Sequence, residues 1–218
     1  MLHPETFQFL TALKKHNDRN WFEENRKKYE EAKKDVHQLV DTIIKRIPDF
    51  DKTLVGLEVK DCVFRINRDI RFSKDKSPYK TNMGAAFSKG GKNALVAGYY
   101  LHVEPDNSFA AGGFWMPPAP QLKAIRQEIA YNGPDFEKIL KAASFKKYFK
   151  TLEGEKLKTT PKEYDKEHPY IAYLKYKSFV VSTPLKDAQL LNKKATDEIV
   201  SVFKSIQPLV AFLNTAVS

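Results

Sequence analysis

An α+β fold, with a central antiparallel sheet flanked by a long N-terminal helix pair and a long C-terminal helix, is what the 218-residue sequence predicts. Three observations predict it. Apolar residues recur at steps of three and four near both ends, in Phe7, Leu10 and Leu13 and again in Leu191, Ala195, Ile199, Val202, Ile206, Leu209 and Leu213. Between the ends, 84–88, 96–104 and 108–115 turn strand-like and alternate with period two. Two turn signals separate those runs: 89–93 with Gly90 and Gly91, and 104–107 with Pro105 at its second position.

In chain order, Pro4 suits a helix N1 position and opens a short amphipathic helix that ends at His16 and Asn17. Asn17 or Asp18 then caps a long helix whose stripe runs from Phe22 through Tyr29, Val36, Leu39 and Ile43 to Ile47, where Pro48 stops it. Asn25 lies in that stripe, where a buried amide needs hydrogen-bond partners. A loop covers 49–61, and 63–67 is a further strand. Beyond Pro117 and Pro118 the helical period returns in Leu122, Ile125 and Ile129, then, past a break at Asn132, Gly133 and Pro134, in Phe136, Ile139 and Leu140. The polar stretch 151–161 around Gly154 reads as a hairpin or loop, 179–182 as a short strand, and the last helix carries a kink or break at Pro208. No repeat, low-complexity block or linker interrupts the chain, so one domain over 1–218 is expected.

Lys and Arg number 37 against 27 Asp and Glu, a formal charge of +10, and 42% of residues are apolar. That apolar share, with 15 Phe and 10 Tyr, is ample for a closed core and excludes disordered, collagenous and disulfide-scaffold classes. Cys62 is alone, so neither an intrachain disulfide nor a thiol-ligated metal is expected, and a reducing, cytoplasmic setting is. No secretory pattern opens the chain and no run of about 18 apolar residues occurs, so no membrane contact is expected. The five histidines are scattered without an HxxxH pair; GxSxG, CxxC and GxGxxG are absent, and Gly90-Gly91-Lys92 lacks the rest of a P-loop. Neither cofactor nor metal is expected on these grounds.

The charge is uneven. Residues 60–92 hold nine basic and three acidic side chains, whereas 93–118 hold no Lys or Arg. Within the basic stretch, Arg65, Arg68 and Arg71 offer guanidinium forks and Lys74, Lys76 and Lys80 offer point charges, a set suited to phosphate or carboxylate. Asp69 and Asp75 would orient the arginines or hold a metal, although two carboxylates cannot neutralise six cations, and the surplus field attracts anions. The plainer reading pairs Arg with Asp on a solvated face, makes 73–79 a loop of turn formers and lets Tyr79 merely pack. If Phe64 and Ile66 face the core, Arg65, Asn67, Asp69 and Arg71 share the other face, and Arg68 joins them through a bulge.

Other features admit two readings each. Trp21, Asn25 and Arg26 could present a ligand face, though an aromatic N-terminal turn more often anchors a core. Small residues at 84–86 and 110–113 allow close approach by a ligand or a helix, with a helix the commoner occupant. Aromatic and basic residues at 168–170 and 175–179 suit nucleic acid or a solvated edge strand. The stripe of the last helix fits a dimer seam as well as packing on its own domain, so oligomeric state is left open.

Trp21-Phe22, Asn25-Arg26 and Tyr29, the block from Arg68 through Asp69, Arg71, Phe72, Asp75, Lys76, Pro78, Tyr79 and Lys80 to Asn82, then 98–101 and Gly112-Gly113, together resemble the family catalogued as domain of unknown function 2461. The resemblance covers nearly the whole chain in order. It implies a stand-alone, soluble, single-domain protein of uncharacterised function and assigns no catalytic role.

Three functional readings follow, in this order. First is a binding domain for a phosphate-bearing ligand, nucleic acid or nucleotide, through Arg65, Arg68, Arg71, Lys74, Lys76 and Lys80, with Asn25 and Arg26 contributing and Tyr79 or Trp21 stacking. Second is an enzyme on a small anionic substrate, in which Asp69, Asp75 or Tyr79 moves a proton or holds a metal. Third is a structural or interaction protein whose motif latches the sheet to the N-terminal helix, for example with Arg68 or Arg71 bonding Asn25 and nearby carbonyls.

Overall fold

The computed structural model describes residues 1–218. α1 (Pro4–Lys15) starts on Pro4 as expected and buries Phe7, Phe9, Leu10 and Leu13. Its first turn is held by a buried carboxylate, because Asp35 Oδ2 accepts from the His3 amide at 2.8 Å and the Thr6 hydroxyl at 2.5 Å. The expected long helix from Asn17 or Asp18 to Ile47 is two helices, α2 (Arg19–Glu24) and α3 (Arg26–Arg46). The break falls on Asn25, at φ −104° and ψ 17°, whose amide donates to the Trp21 carbonyl at 2.9 Å. A side chain that competes with the backbone in this way favours a helix end over a helix interior. Asp18 caps α2 by accepting from the Trp21 amide at 2.9 Å.

After α4 (Val59–Cys62), four strands follow: β1 (Met83–Phe87), β2 (Gly98–Val103), β3 (Ser108–Phe114) and, later, β4 (Phe179–Leu185). They form one sheet in the order β1-β2-β3-β4, antiparallel throughout. The two expected hairpin turns join β1 to β2 and β2 to β3, with Gly90, Gly91 and Asp106 all at positive φ. Between β3 and β4 lie α5 (Ala119–Tyr131), α6 (Gly133–Lys141), α7 (Ala143–Lys146) and α8 (Ile171–Leu174); α9 (Asp187–Leu190) and α10 (Ala195–Ala216) close the chain. α10 runs through Pro208 without interruption, so the expected break is absent.

The strand expected over 63–67 is reduced to isolated bridges, Val63 to Ala85 and Asn67 to Tyr79. The segment changes partner midway: Phe64 donates to Gly84 O beside β1, whereas Arg68 donates to Pro78 O, and Ile66 O accepts from Lys80. The same change separates Phe64 from Ile66, because Ile66 is buried while Phe64 turns its ring to Tyr100.

Period-two alternation gives the sheet two unlike faces. On one, Phe87, Tyr99, Leu101, Val103, Ala110 and Val181 are buried, with Tyr99 and Phe87 packed on Phe203 of α10 at 5.1 and 5.5 Å between ring centroids. A Cβ on Gly112 would lie 2.8 Å from Ile206, so this glycine admits α10, as the helix reading of the small residues expected. α10 is the one helix long and apolar enough to cross a membrane, and half of its most apolar window is buried in the core. The other face presents Ala86, Tyr100, His102, Phe109, Ala111, Val180 and Ser182, all only partly covered.

Candidate functional site

Residues 65–80 form an irregular hairpin off the β1 edge, closed at its base by the Arg68–Pro78 and Lys80–Ile66 backbone bonds of 2.9 and 2.8 Å. Two of its arginines are neutralised within it. Arg68 donates to Asp75 and to Ser73 Oγ, and Arg71 grips Asp69 through Nε and Nη2 at 2.9 and 2.6 Å. Each aspartate also receives a backbone amide two residues on, from Arg71 and Ser77 respectively, the turn that holds the pair in place. Bonds from the Ser77 hydroxyl and amide, with Arg68, hold Asp75 well below the usual carboxylate range; Arg71 lowers Asp69 in the same way.

Four cations stay outside these pairs. Lys76 and Lys80 donate to the carbonyls of Ile70 and Arg65, both at 3.0 Å, and Arg65 and Lys74 have no carboxylate partner. Burial, helped by Arg65, pushes the Lys80 ammonium below its ordinary value, and it sits 5.5 Å from the centre of the Phe64 ring. At the hairpin tip Phe72 is 96% exposed, with the Arg71 guanidinium 5.8 Å from its centroid.

The hairpin base is fastened to the N-terminal helices by other residues than the arginines. Tyr79 is buried and stacks on Phe22 with centroids 3.9 Å apart and planes within 15°. Asn17 pairs with the Tyr79 backbone in both directions, accepting its amide at 3.1 Å and donating to its carbonyl at 2.9 Å. Trp21 is half-buried between His16 and Phe9, Asn25 bonds Trp21 O and Lys28, and Arg26 lies over Phe22 beside Glu23. No hydrogen bond or ion pair joins Trp21, Asn25 or Arg26 to the hairpin cations. Nor do Asp69, Asp75 and Tyr79 share a partner: the carboxylates sit in exposed ion pairs, and the phenol ring faces Phe22.

The partly covered sheet face holds a second arrangement. Tyr100, His102 and Glu104 project from alternate positions along and just past β2. The Tyr100 hydroxyl is 3.0 Å from His102 Nδ1, and His102 Nε2 is 3.3 Å from Glu104 Oε2. Thr81 and Asn107 donate to Glu104 at 3.1 and 2.8 Å, and Lys14 stands 3.8 Å away. His102 lies flat on Phe109, centroids 4.6 Å apart. Burial works to raise Glu104, but the bonds from Asn107, His102 and Thr81 outweigh it and hold the carboxyl below its ordinary value. Burial lowers His102, against the pull of Glu104, and pushes the Tyr100 phenol up to about 12.

Apolar spacing does not mark these three residues; a Tyr-x-His-x-Glu pattern in a strand, read for its polar positions, does, because period two places them on one face. Cys62 is no rival nucleophile, since burial and the neighbouring Asp61 push its thiol up to about 11. No three His, Cys, Asp or Glu side chains converge in a metal-binding group.

His102 and His37, both lowered chiefly by burial, give a pH dependence of known sign. The unfolded chain binds protons at these sites from about pH 6.5 downward while the folded chain resists. Stability therefore is full above that value and is lost as the pH falls through the folded pKa. Urea midpoints are expected to be lower at pH 5 than at pH 7.5, with a smaller difference in His102→Gln. An unchanged difference in that variant would refute the role of His102.

Among curated proteins and solved structures, no match to this chain is found. The family model described as "Conserved hypothetical protein (DUF2461)" matches residues 5–212, a span that takes in the hairpin, the latch and the partly covered sheet face, and the chain belongs to that family.

Proposed function

We propose that the hairpin 65–80 binds single-stranded nucleic acid, its cations on the phosphates and Phe72 stacked on a base. The observation that carries this reading is Phe72, a large apolar ring left 96% exposed at the tip of a segment with six basic and two acidic residues. A ring so placed adds nothing to the core, and exposed aromatics beside cations suit unstacked bases. The open setting of Arg65, Lys74 and Lys76 fits an extended polyanion better than an enclosed nucleotide. Stacking falls to Phe72 in this reading because Tyr79 and Trp21 are engaged within the aromatic cluster. The latch and the binding tip are compatible, since different residues of the hairpin serve each.

The test is fluorescence anisotropy with a labelled single-stranded oligonucleotide over a range of salt. Four free cations give an expected slope of log affinity against log salt of roughly −3. Lys74→Glu with Lys76→Glu should flatten the slope, and Phe72→Ala should weaken binding by roughly tenfold while leaving the slope unchanged. These side chains are exposed, so the variants should fold as the parent does. Absence of binding at low salt, or equal binding by the charge-reversed variant, sinks the reading.

A further inference from the structure

Tyr100, His102 and Glu104 are linked side chain to side chain by two polar contacts. Glu104 is fixed from three directions by His102, Thr81 and Asn107. As an ionised acceptor it receives a hydrogen bond from His102 Nε2–H, which fixes the tautomer whose unprotonated Nδ1 turns its lone pair to the Tyr100 hydroxyl at 3.0 Å. Phe109 keeps the imidazole in plane, and Gly84 across the strand makes room for the phenol: a Cβ there would lie 2.5 Å from the Tyr100 oxygen. Hydroxyl, base and orienting carboxylate thus stand in the order that activates a nucleophile. The Phe64 ring, 6.4 Å from that of Tyr100, carries the Lys80 ammonium on its face.

We propose that Tyr100 is the nucleophile of a catalytic site on the partly covered sheet face, with His102 as its general base and Glu104 as the positioning residue, acting on phosphate esters. In the first step the Tyr100 oxygen bonds to phosphorus as its proton passes to His102 Nδ1. The bond from phosphorus to the leaving oxygen breaks with its electron pair, and that oxygen takes the proton from Nδ1. In the second step water gives a proton to Nδ1 and attacks phosphorus, the phosphotyrosine bond breaks, and Tyr100 recovers the proton. Ester and water become alcohol and phosphate. Glu104 keeps the imidazolium paired while it exists. The Lys80 ammonium, held over the Phe64 ring that neighbours Tyr100, is assigned to the ester's negative charge, which is the one respect in which this site rests on the anion-binding reading of the hairpin. A phenol pushed up to about 12 is almost wholly protonated at neutral pH, so a neighbouring base is what makes it reactive.

The first measurement is labelling of the full chain with a neutral alkyl fluorophosphonate, read tyrosine by tyrosine by peptide mass spectrometry. Tyr131, 76% exposed, is the internal reference. At pH 7 Tyr100 should react roughly a hundredfold faster than Tyr131. Its rate should level off below pH 6.5, because burial holds His102 below the ordinary histidine value. Tyr100→Phe should remove the adduct, His102→Gln should bring its rate to the Tyr131 level, and Glu104→Gln should displace the pH profile. Equal labelling of Tyr100 and Tyr131, or a Tyr100 rate that rises without a plateau, overturns the site, and the wild-type profile alone decides this if a variant fails to fold. Selective labelling without hydrolysis of p-nitrophenyl phosphate overturns the substrate class. The Lys74→Glu, Lys76→Glu variant keeps the labelling if the sites are independent; loss of oligonucleotide binding there, with labelling intact, separates the fate of the hairpin reading from that of this one.

Discussion

Tyr79→Ala is expected to lower stability by about 3–4 kcal/mol, whereas Arg71→Ala should leave the urea midpoint unchanged. Tyr79 is 7% exposed, and its partner Phe22 is 1% exposed. Truncation opens a cavity under a ring stacked at 3.9 Å and unseats a cluster that also holds Phe9 and Tyr29. The surroundings cannot close the gap easily, because the Tyr79 backbone is clamped on Asn17. Asn17→Ala should cost less, about 1–2 kcal/mol for two hydrogen bonds lost to the main chain. Arg71 differs in kind, since its guanidinium and Asp69 pair in solvent, where ion pairs add little. Equilibrium urea unfolding of the three variants at pH 7.5 reads all of this. If Arg71→Ala falls as far as Tyr79→Ala, the latch runs through the arginines after all.

That contrast marks where the sequence was legible. Burial has a period, so residues such as Phe7 and Leu10, Val36 and Leu39, Tyr99 and Leu101, or Ile199 and Val202 announce their elements and the face each one hides. Charge density likewise found the hairpin. What it could not supply is partners. Arg68–Asp75 and Arg71–Asp69 depend on turns that bring side chains seven and two residues apart together. Asn17 finds Tyr79 across 62 positions, a distance no local pattern spans. Asn25 was visible as an oddity in an apolar stripe, but whether such an amide is buried or ends the helix is settled by its bond to Trp21 O. The Tyr100–His102–Glu104 row was present at alternate positions, yet its meaning needs Thr81, 23 residues before Glu104, and the fold-back of the next turn and strand that brings in Asn107 and Phe109.

Gly113→Ala should be the more damaging of the two changes at the end of β3, at about 3–5 kcal/mol, enough to threaten folding outright. Gly112 and Gly113 are adjacent but needed for opposite reasons. At Gly112 a methyl would meet the Ile206 side chain of α10 at 2.8 Å, which can turn aside in part, and the Gly98 carbonyl oxygen at 3.0 Å, which needs to give by only a few tenths of an ångström, so Gly112→Ala should cost less. At Gly113 φ is +118°, a region closed to side chains, and a Cβ would stand 2.0 Å from the Phe179 carbonyl oxygen and 2.9 Å from Val180 Cα. Those atoms are backbone of β4 and cannot move without breaking the pairing of Gly113 with Val180 and Phe114 with Phe179. Relief therefore requires either unpairing the start of β4 or rebuilding the exit of β3, where Met116 is anchored on Ser178 Oγ at 2.9 Å. Both loosen the seam on which Phe114 and Phe179 enter the core. Thermal melts of the two alanine variants give the order directly: a Gly113→Ala protein that melts no earlier than Gly112→Ala would mean that β4 yields where the sheet shows it held.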